Sequence, residues 1–478
     1  MKKIIYLLII ILIISCLGEL QHPLDIRKIE GIYLRCLLIP KSYDFCDELL
    51  GLNQNNEEEF NEEEFNEEES NGNLDTTFGS GGIVYIPYST GNNQDDLKNL
   101  ILQPDQKIIL GGKTNNKLFL ARLNPNGSFD TTFGTGGIVI YDITTGFPSS
   151  SQEIIKDLIL TSDNKIVVTG TATPGSINRH FIAKFDSDGS NLGLSVYGGG
   201  GTYFGNAIDI QTIGSNTYYI VGVYGSSIAG NYNFKIFRYK EDLSPDTTFG
   251  SSGVADIELG SNQDSLQDLI IQPDNNIIAG GSWDPSGTNP INIALIRYLN
   301  NGTNFDTSFN STGKVLYNNT TDSSIYNIKL QPDGKILIAS YKSNGTNKDY
   351  YLARYNPDGT IDTNFGINGE IIEDFGLEDV ATKIAIQSNG KILLGGNSEV
   401  AANQYQLLII RYNPDGTKDT SFGTNGIFTY DKNTNDNDWL TGLAIQKDQG
   451  KEKIIVGATT DTDSGPPLKI DFYILRIE

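Results

Sequence analysis

Arginine and aspartate recur along this chain at a nearly fixed separation. Arg122 precedes Asp130, Arg238 precedes Asp246, Arg354 precedes Asp362 and Arg411 precedes Asp419, each by eight positions, while Arg297 precedes Asp306 by nine. A guanidinium beside a carboxylate makes strong, directional, charge-assisted hydrogen bonds. Such a series is either a ring of anion sites or a structural clasp. A residue kept in every unit serves every unit, which favours the clasp. Two members lack a neighbour in sequence. Arg476 has no Asp after it and Asp75 has no Arg before it, so these two are expected to pair and close a ring.

Other chemistry is sparse. From Leu74 onward the chain has one histidine, His180, and no cysteine. A Ser–His–Asp arrangement would have to use His180, which has no motif around it. Carboxylates are abundant, but no spacing singles out the acid pair of a glycosidase or lyase. Asp186–Asn191, DSDGSN, resembles half of a calcium loop yet lacks the remaining ligands and a terminal Glu. It aligns instead with the turns NPDG at 356–359 and 413–416. Gly198–Gly201 is followed by none of the Lys-Ser/Thr that a phosphate loop requires. The sequence therefore assigns no catalytic, metal-binding or cofactor-binding residue, and the chain reads as a non-enzyme.

The elements that carry the Arg/Asp series are repeats. LDTTFGSGGIVYI from Leu74 returns from Phe129, Pro245, Phe305, Ile361 and Lys418, and the opening Asp residues lie 55, 116, 60, 56 and 57 positions apart. The long interval holds a worn copy, Asn191–Gly205, in which Lys184 replaces the Arg and Leu192 stands eight positions on. Seven units fill 74–478. Within a unit the pattern is strand: LKNLILQ (97–103), KIILGG (107–112), KLFLARL (117–123) and GGIVIY (136–141), separated by turn residues. Asp-Gly and Asn-Gly supply the positive φ of tight hairpins. Four antiparallel strands repeated seven times, apolar on both faces, predict an all-β, seven-bladed β-propeller. The Phe of each DTTFG element (Phe78, Phe133, Phe249, Phe309, Phe365 and Phe422) reads as a buried plug. The chain begins with a fourth strand and closes with a third, so the N-terminal strand should complete the last blade and remove the open edge.

The DTTFG element, the later PDGK turn and the ARYNPDG strand end, in constant order, resemble the delta-60 repeat family. The resemblance covers 74–478 and implies a propeller-like bacterial envelope protein; it implies no reaction.

Before the repeats, 1–15 reads as a signal peptide: two lysines, then the apolar run Ile4–Ile14, too short to span a bilayer. Its end at Ser15-Cys16 resembles a bacterial lipobox, which implies lipid on Cys16. The neck, 16–52, carries Cys36 and Cys46. A disulfide there would contribute roughly 2–3 kcal/mol, and His22 is the sole nearby imidazole for a metal site. Residues 53–73 hold nine glutamates and two phenylalanines, the composition of a disordered acidic tether. As a flexible coil it would reach roughly 25 Å. The formal net charge of −24 excludes nucleic acid as an attracted partner.

The turns after strands one and three are nearly uniform, whereas the loops after strands two and four vary. In an up-and-down blade the two variable sets share one face, the expected ligand face, with Tyr203, Trp283 and Trp439 at it. The sequence thus points to a monomeric, lipid-anchored outer-membrane protein that binds a protein or a glycan. A periplasmic scaffold is the alternative and a carbohydrate-active enzyme the third reading.

Overall fold

A computed structural model of the chain describes residues 72–86, 95–143, 152–197, 200–226, 232–260, 263–285, 290–317, 319–433, 436–462 and 469–478. Cys16, Cys36, Cys46 and the tether up to residue 71 lie outside the described residues. The remainder forms seven four-stranded antiparallel sheets.

The first blade is Asp96–Leu102, Ile108–Thr114, Lys117–Leu123 and Ile138–Tyr141, in that order across the sheet. The next five follow the same plan over 152–196, 202–257, 265–316, 323–373 and 379–430. The seventh takes three strands from the C-terminal region and its fourth, Ile83–Ile86, from the start of the propeller. Ile83 stands opposite Leu475 and Ile86 opposite Phe472. The worn copy still supplies a strand, Asn191–Val196, paired with Arg179–Phe185.

Second and third strands are buried on both faces because each blade is sandwiched between two others. Ile108, Ile109, Leu110, Phe119 and Ala121 are all inaccessible to solvent. Seven apolar clusters result, each drawing on adjoining blades; one joins Ile86 and Phe472 to Leu97, Leu100 and Phe119 across the closure. Full burial of one such side chain contributes about 1.5–3 kcal/mol. The plug phenylalanines Phe78, Phe133, Phe249, Phe309, Phe365 and Phe422 are all fully buried.

The worn junction is repaired from its other side. Leu243, buried and at φ 65°, occupies the turn of the following blade where glycines such as Gly127 and Gly302 stand elsewhere. A Cβ on Gly193 would lie 3.3 Å from its side chain. The plug has moved from one blade to the next, and a glycine makes room for it.

Every first strand is bulged at the same place. The register slips between Leu97 and Asn99, Ile155 and Asp157, Gly205 and Ala207, and Leu266 and Asp268. It slips likewise between Ile325 and Asn327, Ala381 and Lys383, and Leu440 and Gly442. A bulge puts two consecutive side chains on one face, here the face that lines the central channel. In blade one the second strand admits the bulge through Gly112, where a Cβ would lie 2.0 Å from the Asp96 carbonyl oxygen.

Candidate functional site

The Arg/Asp series is satisfied within the protein. The guanidinium Nε lies 2.7 Å from the carboxylate in Arg122–Asp130 and Arg238–Asp246, 2.8 Å in Arg297–Asp306 and Arg354–Asp362, and 2.6 Å in Arg411–Asp419. Arg476 stands 2.8 Å from Asp75. Each Arg covers the plug phenylalanine of its element, as Arg476 covers Phe78 at 5.0 Å and Arg411 covers Phe422 at 4.8 Å. Nη1 reaches the turn of the following blade: Arg297 donates to the Pro357 carbonyl (2.7 Å), Arg238 to that of Asn300 (3.1 Å), Arg476 to that of Pro125 (2.9 Å). Burial alone would raise the Asp419 pKa. Hydrogen bonds from Ser421 and the charges of Lys391 and Arg411 outweigh it and hold the carboxyl at about 2. With donors and acceptors occupied on both sides, these groups clasp neighbouring blades. In the worn unit Lys184 donates to the Glu241 carbonyl at 3.3 Å, across the same junction.

The closure contains a feature that the sequence reading placed differently. Gly72 and Asn73 were assigned to the tether, but they form the strand-three turn of the seventh blade together with Glu478. Gly72 donates its N–H to the Glu478 carbonyl (2.7 Å) and Glu478 to that of Asn73 (2.7 Å). The continuous turn at Asn356 makes the same two bonds, from Gly359 to Asn356 and from Asn356 to Thr360. The signal was present: Asn71-Gly72-Asn73-Leu74-Asp75 parallels Asn126-Gly127-Ser128-Phe129-Asp130. The acidic run before it drew the boundary two residues too late.

His180 is fully buried in the third strand of blade two, with Nε2 2.7 Å from the Tyr239 hydroxyl. Tyr197 stacks on it at 5.1 Å and Phe237 lies at 4.2 Å. Burial lowers its pKa to about 3, so it is neutral at ordinary pH. It is part of a core between blades two and three.

The bulged first strands enclose a channel with a cavity of about 430 Å³. Asp157, Asp209 and Asp268 line it together with Lys156, Lys329 and Lys383. Burial and the charge of Asp157 push Asp268 up to about 6. Lys156 is lowered to about 8, by burial first and then by Lys98. At the variable-loop end a smaller cavity of about 270 Å³ is bounded by Trp439, Asp96, Lys98, Thr441, Thr459 and Asp461. Trp439 is 37% exposed and its ring lies 4.5 Å from that of Tyr405.

The three aromatic residues expected at the ligand face therefore part company. Trp439 stands at the cavity. Tyr203 is a correction: it is only 4% exposed, turned between blades against Tyr197 at 4.9 Å and the His180 ring. Trp283 is half-buried against the core, and its indole N–H donates to the Tyr317 carbonyl at 2.8 Å. That bond pins a loop edge. What the sequence reading missed is the lysine–aspartate lining of the channel. The only signal for it was a polar pair in mid-strand, such as Lys156-Asp157 or Gln267-Asp268, interrupting strict alternation. Among the described residues no group of three His, Cys, Asp or Glu side chains is placed to hold a metal ion.

Five stretches, 103–133, 161–190, 217–249, 331–365 and 387–422, match the family described as Domain of unknown function (DUF5122) beta-propeller. Four of them end on a plug phenylalanine and the fifth just past the turn glycine Gly189, so the matched unit spans strand two, strand three and the clasp. No curated protein matches the sequence. Among solved structures the chain is similar to a virginiamycin B lyase from Staphylococcus aureus, at 13% identity over 82% of this chain and 99% of the other, with a TM-score of 0.45. It is also similar to a protein from Lactobacillus plantarum, at 10% identity over 70% and 88% of the two chains, with a TM-score of 0.40. The recurring family match and the seven four-stranded blades agree in describing a β-propeller built from one repeated unit.

Proposed function

We propose that the protein is a binding module of the bacterial cell envelope, lipid-anchored through Cys16 at the outer membrane. Its ligand, a protein or a glycan, meets the variable-loop face. One observation carries this reading: an exposed Trp439 packs against the half-buried Tyr405 beside a polar cavity where blades six, seven and one converge. Aromatic faces over hydroxyl, amide and charged groups suit sugars and peptides alike. Elsewhere on the propeller the large aromatics named above are enclosed or bonded to backbone.

The channel carboxylates favour binding over hydrolysis. A general acid or base needs a carboxyl free to exchange its proton with substrate, and Asp157, Asp209 and Asp268 are each occupied by backbone N–H groups. The full chain, probed on a glycan and host-protein array, should bind a restricted set of ligands. Trp439→Ala should weaken that binding at least tenfold, with the melting temperature little changed because the ring is partly solvated. A variant that binds as well as the parent would overturn the assignment of this face. Proteolysis of intact cells separates a surface-exposed binding module from the periplasmic scaffold: a chain cleaved only after the outer membrane is broken counts for the scaffold.

A further inference from the structure

We propose that the central channel is itself a binding site for a small polyvalent oxyanion, a carboxylate- or phosphate-bearing molecule, held by Lys156, Lys329 and Lys383. The argument begins with an asymmetry between the acids and bases that line it. The acids are occupied. Asp157 accepts from the Asn99 side-chain amide (2.7 Å) and from the N–H groups of Leu158 (2.9 Å) and Ile208 (2.9 Å). Asp268 accepts from the Asn327 amide (2.7 Å) and from the N–H groups of Leu269 (2.9 Å) and Ile328 (2.7 Å). Asp209 accepts from the N–H groups of Ile210 and Ile271, both at 2.7 Å. Each carboxylate stitches its own first strand to a neighbouring one, and the lysine charges act on it from a distance, Lys383 on Asp157 and Lys329 on Asp209 and Asp268.

The bases are not so occupied. Lys98 pairs with Asp96 at 2.7 Å. The ammonium groups of Lys156, Lys329 and Lys383 take part in none of the side-chain hydrogen bonds or close ion pairs among the described residues, although these lysines line one cavity. Lys156 and Lys383 each feel the charge of other lysines. Lys383 is lowered by burial, with Asp157 and Asp268 opposing and Lys329 and Lys98 adding to the effect. An ammonium has three donors and no acceptor, so the side-chain donors of these lysines are what the channel offers an anion. In a chain of formal net charge −24, Lys156 and Lys383 sit at the bulges that expose two residues per strand, and Lys329 lies on the same channel lining. A dianion or trianion bridging them would satisfy those donors and relieve their mutual repulsion. The 430 Å³ cavity suits a small molecule, not a polymer. The Asn206, Gln267 and Tyr326 side chains add neutral groups for hydroxyls on such a ligand.

Citrate and inorganic phosphate serve as the two probes, titrated into the full chain by calorimetry and followed by thermal melting. Sodium chloride at matched ionic strength is the reference. The expected result is saturable binding of at least one probe, with a melting temperature raised above the chloride reference. Lys383→Met and Lys156→Met should each weaken that binding at least tenfold, whereas Lys240→Met, on the exposed end of a third strand, should not. Without the probe, Lys156→Met should melt no lower than the parent, since it removes a cation with unfavourable neighbours; this guards against reading misfolding as lost binding. Preference for citrate or phosphate identifies the carboxylate or the phosphate class. Stabilisation no greater than that by chloride, or equal binding in parent and channel variants, would overturn the proposal. An empty array with citrate or phosphate binding intact would reject the rim reading alone, and the reverse result would reject this one alone.

Discussion

Replacing Arg476 by methionine should cost the fold about 3–5 kcal/mol, the scale for removing one partner of a buried ion pair and stranding the other. The guanidinium is 2% exposed and joins three pieces of chain. Nε meets Asp75 at 2.8 Å, Nη2 donates to the Thr77 hydroxyl at 2.9 Å, and Nη1 donates to the Pro125 carbonyl of blade one at 2.9 Å and to Gln446 at 3.0 Å. Methionine would keep apolar cover over Phe78 but leave the Asp75 carboxylate with the Thr77 hydrogen bonds and, as its charged neighbour, Lys453 at 3.4 Å. Arg411→Met is the informative control. It breaks the equivalent contact, yet Asp419 stays tied to it by eight residues of continuous chain. Both variants should lose stability in urea. Only Arg476→Met should also speed proteolytic cleavage in 72–86, because there the clasp itself holds the strand in place. Equal protection of 72–86 in the two variants would mean that backbone pairing of Ile83–Ile86 closes the ring unaided.

The second large effect is a pH dependence that His180 confers. Its pKa falls from 6.5 to about 3 on folding because the buried ring has no room for hydration. A histidine buried neutral stabilises the fold fully above pH 6.5, and that contribution is lost as pH falls, since the unfolded chain takes the proton first. Over the whole window from 6.5 to 3 the loss approaches roughly 5 kcal/mol, and between pH 6.5 and 4.5 it is about 2 kcal/mol. Asp268 and Asp379, both raised to about 6, act in the opposite sense, stabilising the fold as pH drops below 6. The clasp aspartates, with lowered values, matter only near pH 4 and below. His180→Phe removes the first contribution and leaves the others. The variant should lose the hydrogen bond to Tyr239, about 1 kcal/mol at pH 7, and gain on the parent by about 2 kcal/mol as pH falls to 4.5. Urea midpoints at the two pH values measure this. Parallel pH profiles for parent and variant would refute it.

Much of the architecture was legible because the repeat exposes its own logic. The strand phase required the N-terminal strand to join the last blade, and the orphaned Arg476 and Asp75 identified the same junction independently. The plug phenylalanines were legible from their invariance within one chain. Residues whose role depends on which side of a strand faces inward were not. Tyr203 and Trp283 looked alike as loop-edge aromatics, yet one packs between blades and the other bonds to the Tyr317 carbonyl. The channel escaped notice for a related reason. A bulge shifts the register by one, so Lys156 and Asp157 lie on the same face although alternation assigns them opposite ones. Leu243 was hidden because its partner is an absence: it makes sense only beside Gly193, where a DTTF element has decayed.

The seam at Glu478 and Gly72 is a hydrogen-bonded imitation of a turn that is covalent in the other blades. A peptide link across it would add no new geometry, and a cut at the matching turn, between Asp358 and Gly359, would leave the same two bonds to re-form. The order in which the blades are numbered is therefore a property of the gene and not of the ring. Circular permutants that begin at Gly359 and join residue 478 to residue 72 through a two-residue turn should fold to the same closed disc. In such permutants the segment now attached ahead of Gly72 could be moved to any junction, which makes the point of suspension adjustable without redesigning a single blade.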